Sequence, residues 1–376
     1  MSPQKPRAEA LREAAEAGTL DQILEGLESP IQDGTRATFF YRGEADAVHL
    51  RHWIFGLPSA REMERLPGTD VWIVTVEMPA ESRVEYKLEI EKGEHHRLIC
   101  DPLNPNRASD PFGQNSVFYG AGYERPEWTL PNPEARSGTL DELRLRSAAF
   151  GENRRVPVYL PARFRRNRTY PLLLAHDGRD YLRFSDLQTV LDNLIERLEI
   201  APMIVALTSS SDRIKEYGAD PRHAQYLVEE LLPSLEKAFP VSGPKALMGA
   251  SFGGVASLHA AWKYPGTFDQ LLLQSGSFAF SDIGRHNRSP AFDPVADFVN
   301  AFREEPGRPV EKVYVSCGIY ESLIYENRTM VPVLQAAGMD VRYREARDGH
   351  NWQNWRDRLR EGLSWLFPGP LWMVYE

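Results

Sequence analysis

The feature of this sequence that most restricts its fold is the pentapeptide Gly249-Ala-Ser251-Phe-Gly253. A short apolar run at 246–248 comes directly before it, and a helical pattern at 255–263 follows. A strand-to-helix turn this tight leaves no space for side chains at the first and last positions, so both are expected to be glycine. The central hydroxyl then projects above the edge of the sheet. The pattern therefore predicts a nucleophile elbow with Ser251 at its tip.

A serine hydroxyl is a weak nucleophile at neutral pH and needs a base, which in this arrangement follows the acid along the chain. Two histidines come after the helix of the elbow. His286 stands in a polar stretch typical of a solvated loop, whereas His350 follows the last predicted strand and directly precedes the last amphipathic pattern. The position of His350 favours it as the general base.

Glu321 is the predicted acid of the triad, because it opens a loop at the end of the next-to-last predicted strand. A carboxylate there would hold the imidazole tautomer and stabilise the imidazolium. Three acidic residues compete with it. Asp348 is too near His350 in the chain to reach its ring, Glu326 begins a helix, where a dipole contact explains it, and Asp282 is the third.

The developing oxyanion would need two N–H donors. The residue after the nucleophile, Phe252, supplies the first. The second is expected from the loop after the strand at 171–175, where Gly178 allows close approach of the backbone, so the N–H of Gly178 or Arg179 is the candidate. His176 and Asp177 are interpreted as a polar strand end without an acid–base role.

The second half of the chain predicts an α/β domain, because apolar strands alternate with helical patterns. Near-continuous apolar runs such as 172–174 need cover on both faces, and helices supply it. Strands are predicted at 156–160, 171–175, 203–207, 246–248, 271–273, 313–317 and 341–344. Helices are predicted at 187–198, 224–238, 255–263, 295–302, 326–337 and 352–366.

The first half has a different texture. Short β-rich runs separated by turn residues predict a small antiparallel sandwich of the immunoglobulin-like kind. These runs lie at 38–41, 48–53, 71–76, 83–90 and 97–99. The expected organisation is a helical segment at 1–30, the sandwich at 31–122, a proline-bearing linker at 123–139 and the α/β domain at 140–376.

Composition excludes several classes of function. With 44 basic against 53 acidic residues the formal charge is −9, which argues against broad binding of nucleic acid or of an anionic membrane. No apolar run is long enough to span a bilayer, and the first twenty residues do not have the pattern of a signal peptide, so a cytoplasmic protein is expected. Its two cysteines, Cys100 and Cys317, predict no disulfide framework.

No metal and no cofactor are expected. His95 and His96 are adjacent, so they point to opposite faces of a strand, and His49 and His52 have no carboxylate or cysteine at ligand spacing in the sequence. Two tryptophans of the first half, 53 and 72, are open to a role as a carbohydrate platform, but burial in the sandwich core is the favoured interpretation.

The motifs together resemble the enterochelin (siderophore) esterase-like branch of the α/β-hydrolases, which is related to the esterase D and feruloyl-esterase group. The matching residues are His176-Asp-Gly178, Gly249-Ala-Ser251-Phe-Gly253-Gly, Gln274-Ser-Gly-Ser, Gly318-x-x-Glu321 and Gly349-His350-x-Trp352-x-x-Trp-Arg. The resemblance implies an α/β-hydrolase catalytic domain, with Ser251 as nucleophile, His350 as base and Glu321 as acid. A polar stretch containing Arg213 and Glu216 matches as well.

The resemblance also implies a small-molecule ester as substrate, in that group a trilactone of catecholate-capped serine that binds ferric iron. An anionic aromatic substrate suits cationic and aromatic side chains, so Arg213, Arg183, Tyr181 and Trp352 are predicted to bind it. No nucleic acid or membrane partner is expected, and a homo-oligomer stays open. The alternatives are a feruloyl or acetyl esterase of plant polysaccharide, an acyltransferase, and a glycan-binding protein without catalysis.

Overall fold

The computed structural model describes residues 7–280 and 289–370. The chain divides into two compact units. The first comprises Met1–Glu124 together with two short segments, Gly318–Ser322 and Ala346–Asn351. The second comprises Arg125–Cys317, Leu323–Glu345 and Trp352–Glu376. The two short segments carry Glu321 and His350, so both of these residues belong to the first unit although the second surrounds them in sequence.

Two antiparallel sheets make up most of the first unit. After two helices, α1 and α2, come ten strands: α1 Arg7–Glu16, α2 Leu20–Leu24, β1 Ile31–Asp33, β2 Arg36–Arg42, β3 Ala47–His52, β4 Ala60–Glu62, β5 Glu64–Arg65, β6 Val71–Glu77, β7 Arg83–Lys92, β8 His95–Ile99, β9 Arg107–Asp110 and β10 Gly113–Tyr119. One sheet has the order β1-β2-β6-β5, and the other has the order β4-β3-β7-β10-β9, with β8 paired to β7. The β-rich runs predicted for this half are all strands.

The core of the first unit forms from alternate residues of both sheets. Strand β3 alternates strictly between half-buried and buried positions, as a strand with one face toward a core should. Phe39 from one sheet and Tyr86 from the other meet edge to face, with ring centroids 4.8 Å apart. Because side chains of both sheets join one apolar cluster, the two sheets cover each other's inner faces.

The second unit contains an eight-stranded sheet with the order β11-β12-β14-β13-β15-β16-β17-β18. Its strands are β11 Thr139–Ser147, β12 Glu152–Leu160, β13 Tyr170–Ala175, β14 Ile204–Leu207, β15 Val241–Ala250, β16 Gln270–Gln274, β17 Lys312–Gly318 and β18 Asp340–Ala346. Strands β13 to β17 pair in parallel, whereas β11 and β12 form an antiparallel hairpin that joins β14. The mixed α/β prediction is confirmed.

Nine α-helices connect the strands of the second unit within the described residues: α3 Gly178–Phe184, α4 Leu187–Glu196, α5 Arg213–Tyr217, α6 Pro221–Gln225, α7 Leu232–Ala238, α8 Phe252–Lys263, α9 Asp293–Glu304, α10 Ile324–Ala336 and α11 Trp352–Leu366. The helix predicted at 224–238 is instead three consecutive pieces, because the π-helical turn Tyr226–Leu231 separates α6 from α7. The short helices α3 and α5 escaped prediction, since five to seven residues show too little periodicity.

All seven strands predicted for the α/β half are present, and β11 is an additional one. It pairs with β12 along its whole length, from Thr139 opposite Leu160 to Ser147 opposite Glu152. Most of its residues are exposed. A polar strand at the edge of a sheet lacks the apolar signal on which the strand prediction depends, so the sequence predicts no strand at 139–147.

Apolar side chains cover both faces of this sheet. Alternate residues of β13 join different clusters, with Leu172 and Leu174 on one face and Leu173 and Ala175 on the other. Burying a leucine side chain stabilises a fold by about 1.5–3 kcal/mol. The uninterrupted apolar run in β13 is therefore a consequence of burial on both faces. Within the described residues, no helix combines the length and the apolar character that crossing a bilayer requires.

Candidate active site

Ser251 occupies a strained turn between β15 and α8. Its backbone has φ 57° and ψ −121°, a conformation that a residue with a side chain adopts only when its surroundings enforce it. The Ser251 N–H donates to Gln274 O at 2.9 Å, and the Ser251 carbonyl accepts from Gly254 N–H at 3.0 Å. Its Oγ lies 3.1 Å from Ser277 Oγ. The predicted strand, turn and helix are all present around the serine.

Space requires glycine at 249 and is tight at 253. A Cβ on Gly249 would lie 2.2 Å from the carbonyl oxygen of Gly253, which is far inside van der Waals contact. A Cβ on Gly253 would lie 3.2 Å from the Cβ of His176. The backbone of the turn therefore approaches itself too closely for any larger residue at 249.

The three candidate oxyanion donors differ in their hydrogen bonds. The N–H of Gly178 donates to Thr208 O at 2.9 Å, so it is occupied within the framework, and the prediction of Gly178 as a donor is corrected. Glycine is needed there for another reason, since a Cβ would lie 2.4 Å from the Cα of Leu207. Arg179 and Phe252 stand in the first turns of α3 and α8, where backbone N–H groups lack helical acceptors. Among the described residues neither N–H has an assigned acceptor.

His350 and Glu321, the predicted base and acid, lie within hydrogen-bond distance of each other. The Nδ1 atom of His350 lies 2.5 Å from Oε2 of Glu321, so the imidazole and the carboxylate share a short hydrogen bond. The other oxygen of Glu321 accepts the N–H of Gly318 at 2.7 Å. The Glu321 side chain is 2% exposed, whereas that of His350 is 36% exposed. A buried carboxylate thus orients an imidazole whose edge reaches solvent.

The competing residues have other contacts or lie elsewhere. Asp348 forms an ion pair with Arg83 at 3.1 Å. Glu326 is buried in the first turn of α10. His286 and Asp282 lie outside the described residues.

Arg213 is engaged close to the elbow. Its Nη2 atom lies 2.7 Å from Oδ2 of Asp177 and 3.3 Å from the carbonyl oxygen of Ala250, the residue before Ser251. Burial by itself lowers the pKa of this guanidinium, but Asp177 outweighs burial and the pKa is raised overall. Asp177 therefore has a partner that sequence reasoning missed. The role of Arg213 in binding substrate stays a prediction.

A buried polar network beneath the elbow was also missed. His176 Nε2 lies 3.0 Å from His223 Nε2, so one ring donates and the other accepts. Farther along, Glu216 Oε1 accepts from Arg154 Nη2 at 2.9 Å. Although burial by itself raises the pKa of Glu216, the His223 ring, whose Nδ1 lies 3.6 Å from Oε2, and the Arg154 guanidinium outweigh it and lower the pKa to about 2. The residues of this network come from separate strands, helices and loops, so no sequence motif predicts it.

The predicted substrate-binding residues of α3 and α11 divide by exposure. Tyr181 has no exposed surface and donates its hydroxyl to Gln274 Oε1 at 2.7 Å, so its interpretation as a binding residue is corrected to packing. Trp352 is 9% exposed and meets Tyr181 edge to face at 5.2 Å. Arg183 and Arg179 are exposed. The two arginines are therefore open to solvent, whereas the two aromatic rings are packed.

Two expectations for the first unit are corrected. His49 lies directly opposite Glu89 across β3 and β7, and with Glu91 the ligand atoms of the three residues lie within 4.8 Å of one another. The carboxylates are brought by strand pairing, which sequence spacing does not show. Glu89 also forms an ion pair with Arg51 at 3.6 Å, so cross-strand charge pairing accounts for this group.

The second correction concerns the tryptophans. Trp72 is buried as expected, but Trp53 is 57% exposed and is not part of the core.

A serine on a sharp strand-to-helix turn and a histidine held by a buried glutamate are typical of hydrolytic enzymes that work through serine. Residues 147–366 match the family model described as putative esterase, and residues 36–128 match the model described as enterochelin esterase, N-terminal. Because the first match covers more than half of the 376 residues, the chain belongs to this esterase family. It is a carboxylic ester hydrolase, and the resemblance stated from its motifs is confirmed.

Named relatives match most of the chain. The iron(III) enterobactin esterase of Dickeya dadantii (strain 3937) is 26% identical over 361 residues, which cover 82% of this chain and 80% of that protein. The iron(III) enterobactin esterase of Escherichia coli O6:H1 is 24% identical over 332 residues, which cover 81% of each chain. The similarity therefore extends through both units.

Solved structures share the fold. The ferric enterobactin esterase of Salmonella typhimurium superposes with a TM-score of 0.75 at 20% identity, covering 92% of this chain and 98% of that one. The enterobactin esterase of Shigella flexneri gives 0.74 at 21% identity, covering 92% and 97%. A ferulic acid esterase gives 0.53 at 20% identity, covering 62% of this chain and 99% of that one. The shorter match corresponds to about the length of an esterase domain alone.

Proposed function

We propose that this esterase works through a covalent acyl-enzyme with Ser251 as nucleophile, His350 as general base and Glu321 as the acid that orients His350. His350 Nε2 takes the proton of Ser251 as Oγ attacks the ester carbonyl, and then gives it to the departing alcohol. The N–H groups of Phe252 and Arg179 stabilise the oxyanion. Water then attacks the acyl-enzyme with His350 again as base, releasing the acid and regenerating the serine.

The observation that carries this proposal is the backbone of Ser251, with φ 57° and ψ −121° at a strand-to-helix turn. Such strain persists only where the surrounding structure enforces it, and it clusters at catalytic positions. The 2.5 Å bond between His350 and Glu321 supports the same proposal. We propose further that the eight-stranded sheet and its helices form an α/β-hydrolase domain, and that the sandwich of the first unit is immunoglobulin-like.

The substrate we propose is a catecholate siderophore ester of the enterobactin kind. Its support is the named relatives, which are iron(III) enterobactin esterases over most of this chain. An anionic aromatic ester would also suit the exposed arginines of α3, Arg179 and Arg183. In the first unit, Trp53 and Phe55 are exposed, and the Phe55 N–H donates to the carbonyl oxygen of Tyr320, the neighbour of Glu321. Exposed aromatic rings there could stack on catechol groups.

The experiment is a substrate panel with the wild-type chain and Ser251→Ala. Ferric and iron-free catecholate trilactones, feruloyl and acetyl xylan fragments, and p-nitrophenyl esters are compared by kcat/KM. We expect the trilactones to be the best substrates and Ser251→Ala to lose about 10⁴-fold or more in kcat. A phosphonate should label wild-type Ser251 and leave the variant unlabelled.

Each arm decides a different part of the proposal. Full turnover by Ser251→Ala would end the serine mechanism. Preference for feruloyl or acetyl fragments would reassign the substrate to polysaccharide esters while keeping the mechanism. Transfer of the acyl group to an added alcohol instead of water would make the protein an acyltransferase.

A further inference from the structure

Arg83, the first residue of β7, is a fully buried arginine that contacts the loop of His350. Its Nη1 group donates to Asp348 Oδ1 at 3.1 Å and to Asn351 Oδ1 at 2.8 Å. Its Nη2 group donates to Glu85 Oε1 at 2.8 Å. All of these residues belong to the first unit. One planar guanidinium therefore joins strand β7 to loop residues on both sides of His350.

The loop is also closed upon itself around the histidine. Asp348 Oδ1, which Arg83 contacts, accepts the N–H of Gly349 and the Nδ2 group of Asn351, each at 2.7 Å. The residues that precede and follow His350 are thus tied to one carboxylate. Because Arg83 holds that carboxylate and Asn351 together, the backbone of His350 has little freedom to rotate.

The loop of Glu321 is attached to the same end of β7. Ser82 Oγ lies 2.6 Å from the hydroxyl of Tyr320, the residue before Glu321. The Tyr320 N–H donates to the carbonyl oxygen of Asp348 at 3.1 Å, and the Arg83 N–H donates to that of Arg347 at 2.9 Å. The two loops are therefore joined to each other and to the start of this strand.

The charges explain why an arginine is needed at this position. Burial by itself lowers the pKa of Arg83, but Asp348 and Glu85 outweigh it and raise the pKa overall. Without the guanidinium, Asp348 would be a buried carboxylate lacking a countercharge, which is unfavourable in a medium of low polarity. A guanidinium offers five donors in a rigid plane, whereas a lysine offers a single charged centre.

We infer that Arg83 is a positioning residue for the acid–base pair. Its planar guanidinium holds the His350 loop in the orientation in which Nδ1 of His350 meets Glu321. The inference rests on the proposed function, since this orientation governs turnover only if His350 is the base. It gives strand β7 a part in catalysis without contact with the substrate. A misplacement of a catalytic group by about 1 Å can lower a rate about 100-fold.

Two variants test the inference. Arg83→Met keeps an apolar side chain of similar length but removes the guanidinium. We expect kcat for a p-nitrophenyl ester to fall about 100-fold, with KM within about twofold of the wild-type value. Arg83→Lys keeps the charge without the planar guanidinium, and we expect a fall of about tenfold. Should Arg83→Met fail to fold, Arg83→Lys carries the same test.

The matched control is Val48→Ala, which weakens the core of the same unit at a fully buried residue of β3 outside these loops. A readout independent of turnover is the low-field proton NMR signal of the hydrogen bond between His350 and Glu321, assigned by its absence from His350→Ala. We expect this signal in the wild type and in Val48→Ala, and its loss or broadening in Arg83→Met.

The inference is overturned if the Arg83 variants keep the low-field signal and lose no more kcat than Val48→Ala. Its failure is distinguishable from failure of the proposed function. Should Ser251→Ala retain turnover, the serine mechanism falls, yet the NMR signal still reports whether Arg83 orients His350. Should Ser251→Ala be inactive while Arg83→Met is unaffected, only the positioning role falls.

Discussion

The turn of Ser251 and the loop of His350 are held in different ways. Residues 249–254 are consecutive, and Ser251 is positioned by their own backbone contacts with the adjoining strand and helix. His350 is held by side chains far away in sequence: Arg83 and Asp348, which form an ion pair next to it, are 265 residues apart. The backbone of Ser251 is thus set mainly by its own turn, whereas the position of His350 depends on side-chain contacts that only the folded chain creates.

This difference has a consequence for mutation. A change in the turn of Ser251 acts through backbone strain and should reduce stability and activity together. A change at Glu321 that keeps a hydrogen-bond acceptor should reduce activity with a much smaller effect on folding, because a side-chain hydrogen bond contributes only about 1 kcal/mol to net stability.

The largest loss of activity is expected from a change at Glu321, which contacts His350. Glu321→Gln keeps an acceptor for the Gly318 N–H but removes the negative charge that faces His350. An amide does not stabilise the imidazolium, so kcat should fall about 10³-fold while the free energy of unfolding changes little. Steady-state kinetics and urea unfolding measure the two effects. Glu326→Gln, another buried glutamate, is the control, and a fall of less than tenfold in Glu321→Gln would contradict the assignment.

In the turn of Ser251, Gly249→Ala should reduce both the free energy of unfolding and the activity. The new Cβ would meet the Gly253 carbonyl oxygen at 2.2 Å, and overpacking of this kind costs about 3 kcal/mol. Urea unfolding and turnover of the same sample test it. Gly266→Ala serves for comparison, because Gly266 has φ +80° but open space around its Cβ position, and should lose only about 1 kcal/mol. Equal losses in the two variants would show that the turn tolerates a side chain.

The buried polar network around Glu216 should make the stability of the fold depend on pH. The pKa of Glu216 is lowered to about 2 in the folded state, so its contribution is fully present above its unfolded value near 4.5 and is lost as pH falls toward 2. Glu216→Gln should lose on the order of 2 kcal/mol at pH 7 and show a flatter stability profile between pH 5 and 2. Urea unfolding across that range measures it. The exposed Glu236→Gln should keep the wild-type slope, and a wild-type slope in Glu216→Gln would refute the interpretation.

The smallest effect concerns substrate recognition on α3. Arg183 is exposed, and Arg183→Met removes its positive charge. The weaker charge attraction should raise KM for a ferric catecholate trilactone about fivefold. For neutral p-nitrophenyl acetate KM should not change. Arg144→Met, an exposed arginine of the edge strand β11, is the control. An equal change with both substrates would assign Arg183 to structure instead of recognition.

Several parts of the candidate site could be predicted because their signals are short in sequence. The pentapeptide around Ser251 lies between an apolar strand and a helix, and Glu321 and His350 each follow a strand with a recognisable apolar pattern. Other residues could not be assigned. Tyr181 and Arg183 are two positions apart in α3, but one is buried and the other exposed, and only packing decides between them.

The sequence by itself determined seven of the eight strands of the second unit, the turn of Ser251 and the identity of its proposed partners, because periodicity and glycine placement act over a few residues. The tertiary structure alone decided what lies around those residues. It paired Asp177 with Arg213, occupied the Gly178 N–H, exposed Trp53 and placed Arg83 beside Asp348. Burial and ion pairing join residues that are distant in the chain, and no pattern of neighbouring residues records which of them will meet.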